Sequence, residues 1–446
     1  MEKINLKETQ GRLIIKTLIL IFFLISISLI SYDKLPFLHY SSYSPSSIFT
    51  FFGAFVLILL LGYKPEGYDK WLLIFIGVSI VHSVLSALYY DNIGKSFSHI
   101  VTLVVGFSVF ITVRYAFSNK KANSNLYENI LVLSMIIPLF LGFLQFLNQM
   151  GLHLAFINNL TSLLAYKAYD GRIQMASSEP SWAAVHILTI GAILLYKSKR
   201  KPIRRLVIAA MAFLFLMTFS SYGYGVFLLS LLIFGLITKK SRMKVILSVV
   251  ALLSVVFFVV PYVLDIFDVN SYFNQRFNYK YIFSQEFLQT DASGFIRIIF
   301  PVIGLLEFLH FPIGYGGGFY YVHFNEYLVK YFSYGLVFEE VQENYFVPGT
   351  ATARNLFAKI LSEEGFFQFI FFLLFLRGIF KKATSAYGKY VLCLAIAFLA
   401  NFDTYAFVNF WFLLGVVSSG YFNKEQESSV PVQSKNSPQK IERQSA

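Results

Sequence analysis

Four arginines stand next to features that belong in a site. Arg172 is followed by Ser178-Glu179-Pro180-Ser181, and Arg276 comes after an apolar run at 245–267. Arg297 sits inside the apolar run 295–311, and Arg354 is joined to Asn355 ahead of another apolar run. A guanidinium is always charged and presents a fork of donors that matches phosphate oxygens two at a time, so such a set points to a phosphate or diphosphate ligand. Near bilayer depth an arginine costs roughly 2.5–3.5 kcal/mol on insertion scales and needs a partner. Each one therefore also reads as a side chain snorkelling to headgroups or paired with an acid. Glu179-Pro180 is the sharpest local feature. Proline suits the first helical position and a carboxylate complements a helix N-terminus. Beside that capping role stands a chemical one, a carboxylate that accepts a proton from a hydroxyl.

Other candidates carry weaker signals. His310 reads as an interfacial packing residue, with proton transfer as the lesser alternative. Gly314-Tyr315-Gly316-Gly317-Gly318 reads as a flexible loop; no Lys-Ser/Thr follows and no strand precedes it, which excludes a Walker loop. Asp265 and Asp268 resemble a metal-binding pair but lack a third ligand, and they read as solvated loop acids. The single cysteine, Cys393, lies in an apolar run, and no Cys/His cluster has metal-ligand spacing. No metal or cofactor is expected. Tyr166, Tyr169, Tyr279, Tyr281, Tyr315, Tyr320 and Tyr321 suit either stacking on rings of a ligand or an interfacial tyrosine belt.

The elements that must position these residues are membrane helices. Hydrophobic residues make up 57% of the 446 and charged residues 14%, which excludes a soluble multidomain enzyme and a disordered chain. Apolar runs predict about twelve transmembrane helices, at 13–30, 48–62, 71–90, 99–117, 127–149, 182–196, 206–220, 222–237, 245–267, 366–380, 388–403 and 405–420. The first reads as a retained helix and not a signal peptide. With both termini cytoplasmic, the inner segments hold 27 of the 37 basic residues, as the positive-inside rule requires. The basic clusters are thereby explained as orientation signals and anionic-lipid contacts, and no nucleic-acid partner is expected. The expected organisation is a bundle over 1–267, a large extracytoplasmic loop over 268–365 with a half-buried interfacial helix at 295–311, closing helices over 366–420, and a disordered cytoplasmic tail over 421–446. The fold class is an all-α polytopic integral membrane protein.

Arg172…Ser178-Glu179-Pro180-Ser181-Trp182-Ala183, then Arg297…Phe311-Pro312-Ile313-Gly314-Tyr315-Gly316, then Arg354-Asn355…Glu364-Gly365 together resemble the Wzy-type O-antigen polymerase and O-antigen ligase superfamily of bacterial envelopes. The resemblance implies a metal-independent glycosyltransferase of the plasma (inner) membrane that acts on undecaprenyl-diphosphate-linked oligosaccharides. It implies the lipid bilayer, a flippase and chain-length regulator proteins as partners. By this analogy Arg172, Arg297 and Arg354 hold diphosphate and Glu179 orients or deprotonates the acceptor, with Arg276, His310, Tyr315 and Asn355 as further binding residues. The ligase branch carries His-Asn, nine residues, then Gly-x-x-Gly-Thr. This chain has Arg354-Asn355, nine residues and Gly365, then Gln368 and Phe369. The missing histidine favours a polymerase over a ligase. A lipid-linked-sugar flippase fits twelve helices too, but such transporters usually show internal repeats and none is evident. A membrane scaffold without chemistry leaves the outward arginines unexplained.

Overall fold

The computed structural model describes residues 2–35, 44–118, 124–152, 156–165, 172–196, 202–238, 247 and 285–423. Among them the secondary structure is helical. The order is α1 (Glu2–Ser28), α2 (Pro45–Val56, prolonged by a π turn at Leu57–Leu61), α3 (Asp69–Tyr89), α4 (Ile93–Ser118), α5 (Ser124–Leu147), α6 (Phe156–Leu164), α7 (Pro180–Tyr196), α8 (Pro202–Met217) and α9 (Ser221–Ile237). After the break come α10 (Gln285–Thr290), α11 (Ala292–His310), α12 (Tyr321–Phe332) and α13 (Glu339–Phe346). The chain closes with α14 (Leu356–Lys359, prolonged by a π turn at Ile360–Glu364), α15 (Phe366–Lys382), α16 (Ala386–Phe398) and α17 (Val408–Ser418).

The bundle is organised around α4 and α17. Every residue of α17 is buried, as expected of a helix apolar on all sides. It lies against α4, which also packs on α2 and α3, while α16 joins α17 to α9. Small residues permit the close α4–α17 crossing: a side chain at Gly106 would overlap the Trp411 ring, and one at Gly415 would press on Val113. The outer flanks stay apolar. Leu85 and Leu88 of α3 and Ile137 and Phe140 of α5 are exposed, a pattern that suits lipid and not water.

Helices occupy eleven of the twelve positions expected to span; 245–267 lies outside the described residues. Among the described residues, length and composition make five helices able to cross a membrane: four at those positions, and α11. A helix does cover the run 295–311 expected to be half-buried at the interface, and its nineteen residues rise about 28 Å. The weak boundary between 206–220 and 222–237 is a sharp turn of 118°. The described part of the expected large loop is compact. Phe295, Ile299 and Phe300 of α11 bury against Phe324 and Leu328 of α12 and Val341 of α13, forming a second core separate from the main one.

Candidate active site

A cavity of about 500 Å³ opens where the start of α7, the α8–α9 turn, the start of α11 and the α16–α17 connection meet. Its charged lining is Arg172, Arg297 and Arg354 with Glu179, Glu340 and Asp403. Three arginines separated by as many as 182 residues in sequence therefore share one chamber with three acids.

Each arginine is held by local structure. Gln145 of α5 fastens the segment after Arg172: its side-chain oxygen accepts from the Gln174 and Met175 amides at 3.1 and 2.9 Å. That clamp holds Met175 at φ +56°, a left-handed conformation unfavourable to a side chain. Arg172 Nη2 then donates to the Phe219 carbonyl at 3.4 Å, in the α8–α9 turn. Arg297, in the second turn of α11, places its guanidinium carbon 5.8 Å from the Tyr222 ring centre, within cation–π range. Arg354 is strained at φ +53°, and its amide donates to Asp403 Oδ2 at 2.8 Å. The next residue fixes the exit: Asn355 Oδ1 accepts from the Ala358 amide at 3.0 Å and its Nδ2 donates to the Ala400 carbonyl at 3.0 Å. Only a 3.3 Å contact to half-exposed Glu340 engages the Arg354 Nη2, and its buried Nε has no hydrogen-bond partner. An exposed pair of this sort contributes about 0–1 kcal/mol, so a phosphate can replace Glu340 at little cost.

Glu179 stands at the N-terminus of α7. Its carbonyl accepts from the Trp182 and Ala183 amides, both at 3.1 Å, and its carboxylate accepts from Ser181 Oγ at 2.9 Å. The turn is anchored from below. Asp33 Oδ2 accepts from the Ser178 amide at 2.8 Å, and its other oxygen lies 3.1 Å from His186 Nε2, whose Nδ1 faces Asn409 at 3.4 Å. Capping and chemistry thus coexist at Glu179, with one carboxylate oxygen engaged locally and the group lining the cavity.

Four of the expected site residues converge: Glu179, Arg172, Arg297 and Arg354. Three others do not. His310 is exposed at the far end of α11, thirteen residues and about 20 Å along the helix from Arg297. Tyr315 stacks on Phe311 and His323 at 5.2 and 4.7 Å, outside the cavity lining. Asn355 caps α14 beside Arg354 and does not reach the chamber. Among the other tyrosines, the buried Tyr320 hydroxyl donates to the Phe300 carbonyl and Tyr321 accepts from Asn92. Arg276, Asp265, Asp268, Tyr166, Tyr169, Tyr279 and Tyr281 lie outside the described residues. The glycine run is a packed joint and not a flexible loop: Gly314, Gly316 and Gly318 have φ near +90°, and a side chain on Gly316 or Gly317 would overlap Ser86 or His99. Sequence reading passed over Asp403, Glu340, Asp33 and His186. The one available signal was Asp403 itself, an acid in the short gap between two apolar runs.

A family model described as O-antigen ligase matches residues 206–373. Over that stretch the chain is similar to the O-antigen ligase family. The matched region carries Arg297, Glu340 and Arg354, whereas Arg172, Glu179 and Asp403 come from flanking parts of the chain. Five helices among the described residues are long and apolar enough to cross a bilayer, which suits the membrane setting that this likeness supports. No curated protein and no solved structure gives a significant match.

Proposed function

We propose that the protein is a polysaccharide polymerase. It transfers a growing glycan from undecaprenyl diphosphate to the next lipid-linked repeat unit at the outer face of the plasma membrane. The observation that carries this reading is the meeting of Arg172, Arg297 and Arg354 around Glu179 in one cavity.

In the reaction a hydroxyl of the acceptor sugar attacks the anomeric carbon of the donor glycan. The new glycosidic C–O bond forms as the bond to the lipid diphosphate breaks, and the diphosphate leaves with the electron pair. Charge develops on its oxygens, where preorganised cations act most strongly. Arg354 is placed for this, since its backbone is anchored by Asp403 and its guanidinium is only loosely engaged. Glu179 takes the acceptor proton, oriented by Ser181 and by the Asp33–Ser178 contact. The apolar flanks of the bundle leave the polyprenyl tail in lipid while the diphosphate enters the chamber.

The alternative within the family is a ligase that passes the glycan to a different acceptor. Arg354 preceding Asn355, in place of the histidine of the ligase pattern, favours the polymerase. Reconstitution with purified lipid-linked repeat unit tests the reading. The expected product is a ladder of longer lipid-linked glycans, lost in Arg297→Ala and Arg354→Ala. Transfer only onto an added second acceptor would make the protein a ligase. Label crossing vesicles without chain extension would make it a flippase.

A further inference from the structure

A second polar constellation lies outside the cavity lining, where the glycine joint and the π turn after α14 press on α3 and α4. His99 of α4 has Nε2 2.7 Å from Glu364 Oε1 and Nδ1 3.6 Å from Glu363 Oε2. All three are almost completely buried, and their nitrogen and oxygen ligand atoms lie within 4.8 Å of one another. At 2.7 Å the contact is an ion-pair distance, and neither atom completes a hydrogen bond of good geometry. They instead border a common point.

Further groups border it. Ser79, His82 and Ser83 share one face of α3 at helical spacing, with Ser79 and His82 against Glu364. A side chain on Gly317 would overlap both His99 Nε2 and Ser83 Oγ, so these two atoms face one spot across the glycine joint. Ser83 is fully buried and its hydroxyl has no partner. Glu307 of α11 is fully buried and has neither oxygen hydrogen-bonded.

Glu307, Glu363 and Glu364 are three buried acids; among the described residues Lys359 approaches them, 3.9 Å from Glu363, and His99 lies beside Glu363 and Glu364. The Gly318 amide donates to Glu363 at 2.9 Å but brings no charge. Buried charges without partners are strongly destabilising. A cation held among these groups would offset that cost.

We propose that His99, Glu363 and Glu364 bind a divalent cation of the Zn²⁺ or Mn²⁺ class, with Ser83 and Glu307 supporting it. One imidazole with carboxylates and no thiolate is a donor set for these ions. Mg²⁺ fits less well, since it prefers oxygen ligands and keeps several waters, whereas this set is buried and includes an imidazole. The ion would pin the glycine joint and the 356–364 segment, which follows Arg354 and Asn355, to α3 and α4. It would hold the outer segment in place and take no part in glycosyl transfer.

The test uses the full-length protein in detergent, stripped with chelator and titrated with Zn²⁺ or Mn²⁺. Wild type should retain about one equivalent per chain after desalting, and its Tm should rise with the logarithm of metal concentration. His99→Gln and Glu364→Gln should weaken retention by more than the roughly 10–100-fold typical of outer-shell changes. His323→Ala, at the exposed His323–Glu326 pair, should leave retention unchanged. X-ray absorption of the Zn²⁺ form should show oxygen and nitrogen ligands including imidazole, which keeps the test decisive if the variants fail to fold. Absence of retained metal together with an unresponsive Tm in wild type would overturn the proposal, as would equal retention in the two ligand variants.

Discussion

The arginine cavity and the His99 cluster stand at opposite ends of one segment, with Arg354 opening it and Glu364 nearly closing it. Both bring together charges from distant parts of the chain, yet they are built on opposite terms. In the cavity three arginines meet three acids, and the Arg354–Glu340 pair is loose and half exposed. In the cluster three acids share His99 and one lysine and are sealed from solvent. A loose, balanced and open set can exchange partners with a passing anion. A sealed, unbalanced set cannot turn over, and what satisfies it must stay. The same charged residue types therefore serve transient binding in one place and permanent cohesion in the other, with solvent access as the deciding variable.

Breaking the cavity should have the largest effect. Arg354→Ala and Arg297→Ala are each expected to lower chain extension by about 10²–10³-fold, the size seen when a preorganised donor to a developing anion is removed. Their Tm should hardly move. Glycan ladders on gels and a thermal melt check both halves. If Arg354→Ala lowers Tm and leaves the ladder intact, the two regions have been assigned the wrong way round.

Gly317→Ala attacks the other region without touching the cavity. The added methyl group overlaps His99 and Ser83, an overpacking that costs about 1–3 kcal/mol. Thermal unfolding should show the loss, and the diphosphate affinity of whatever protein remains folded should be near that of wild type. Asn355→Ala separates the regions more finely. Deleting the cap of α14 should cost about 0.5–2 kcal/mol of stability, with chain extension largely preserved at saturating substrate. A strong loss of activity at unchanged stability would restore Asn355 to a binding role. The smallest effect is expected for His310→Ala, an exposed position at the far end of α11. Stability should stay within about 0.5 kcal/mol of wild type, and the ladder should be indistinguishable.

Much of the site was legible because its residues are anomalies. Arginines and a Glu-Pro pair beside apolar runs stand out, since burial of charge near a bilayer is costly enough to require a reason. Their partners were not anomalous. Asp33 and Asp403 look like ordinary boundary acids until tertiary packing sets them against Ser178 and Arg354. Tyr315 and His310 were drawn in by proximity to the glycine run, but the direction in which a side chain leaves a helix or turn is settled by packing on Phe311 and His323. The glycines themselves suggested looseness, whereas positive φ and close backbone approach make them a rigid joint.

Composition alone determined that the protein is a helical membrane protein, because 57% hydrophobic residues in long runs leave no other place for the chain. Local sequence also marked where α7 begins and which charged residues stand beside apolar runs. Tertiary structure alone decided which of those charges meet. His99 and Glu364 are 265 residues apart and belong to separate elements, and no periodicity relates them. Their contact follows from α4 and the π turn after α14 both packing against the glycine joint. Local spacing governs helices because their hydrogen bonds are local. Charge pairing across a core depends on which faces the whole chain can bury at once.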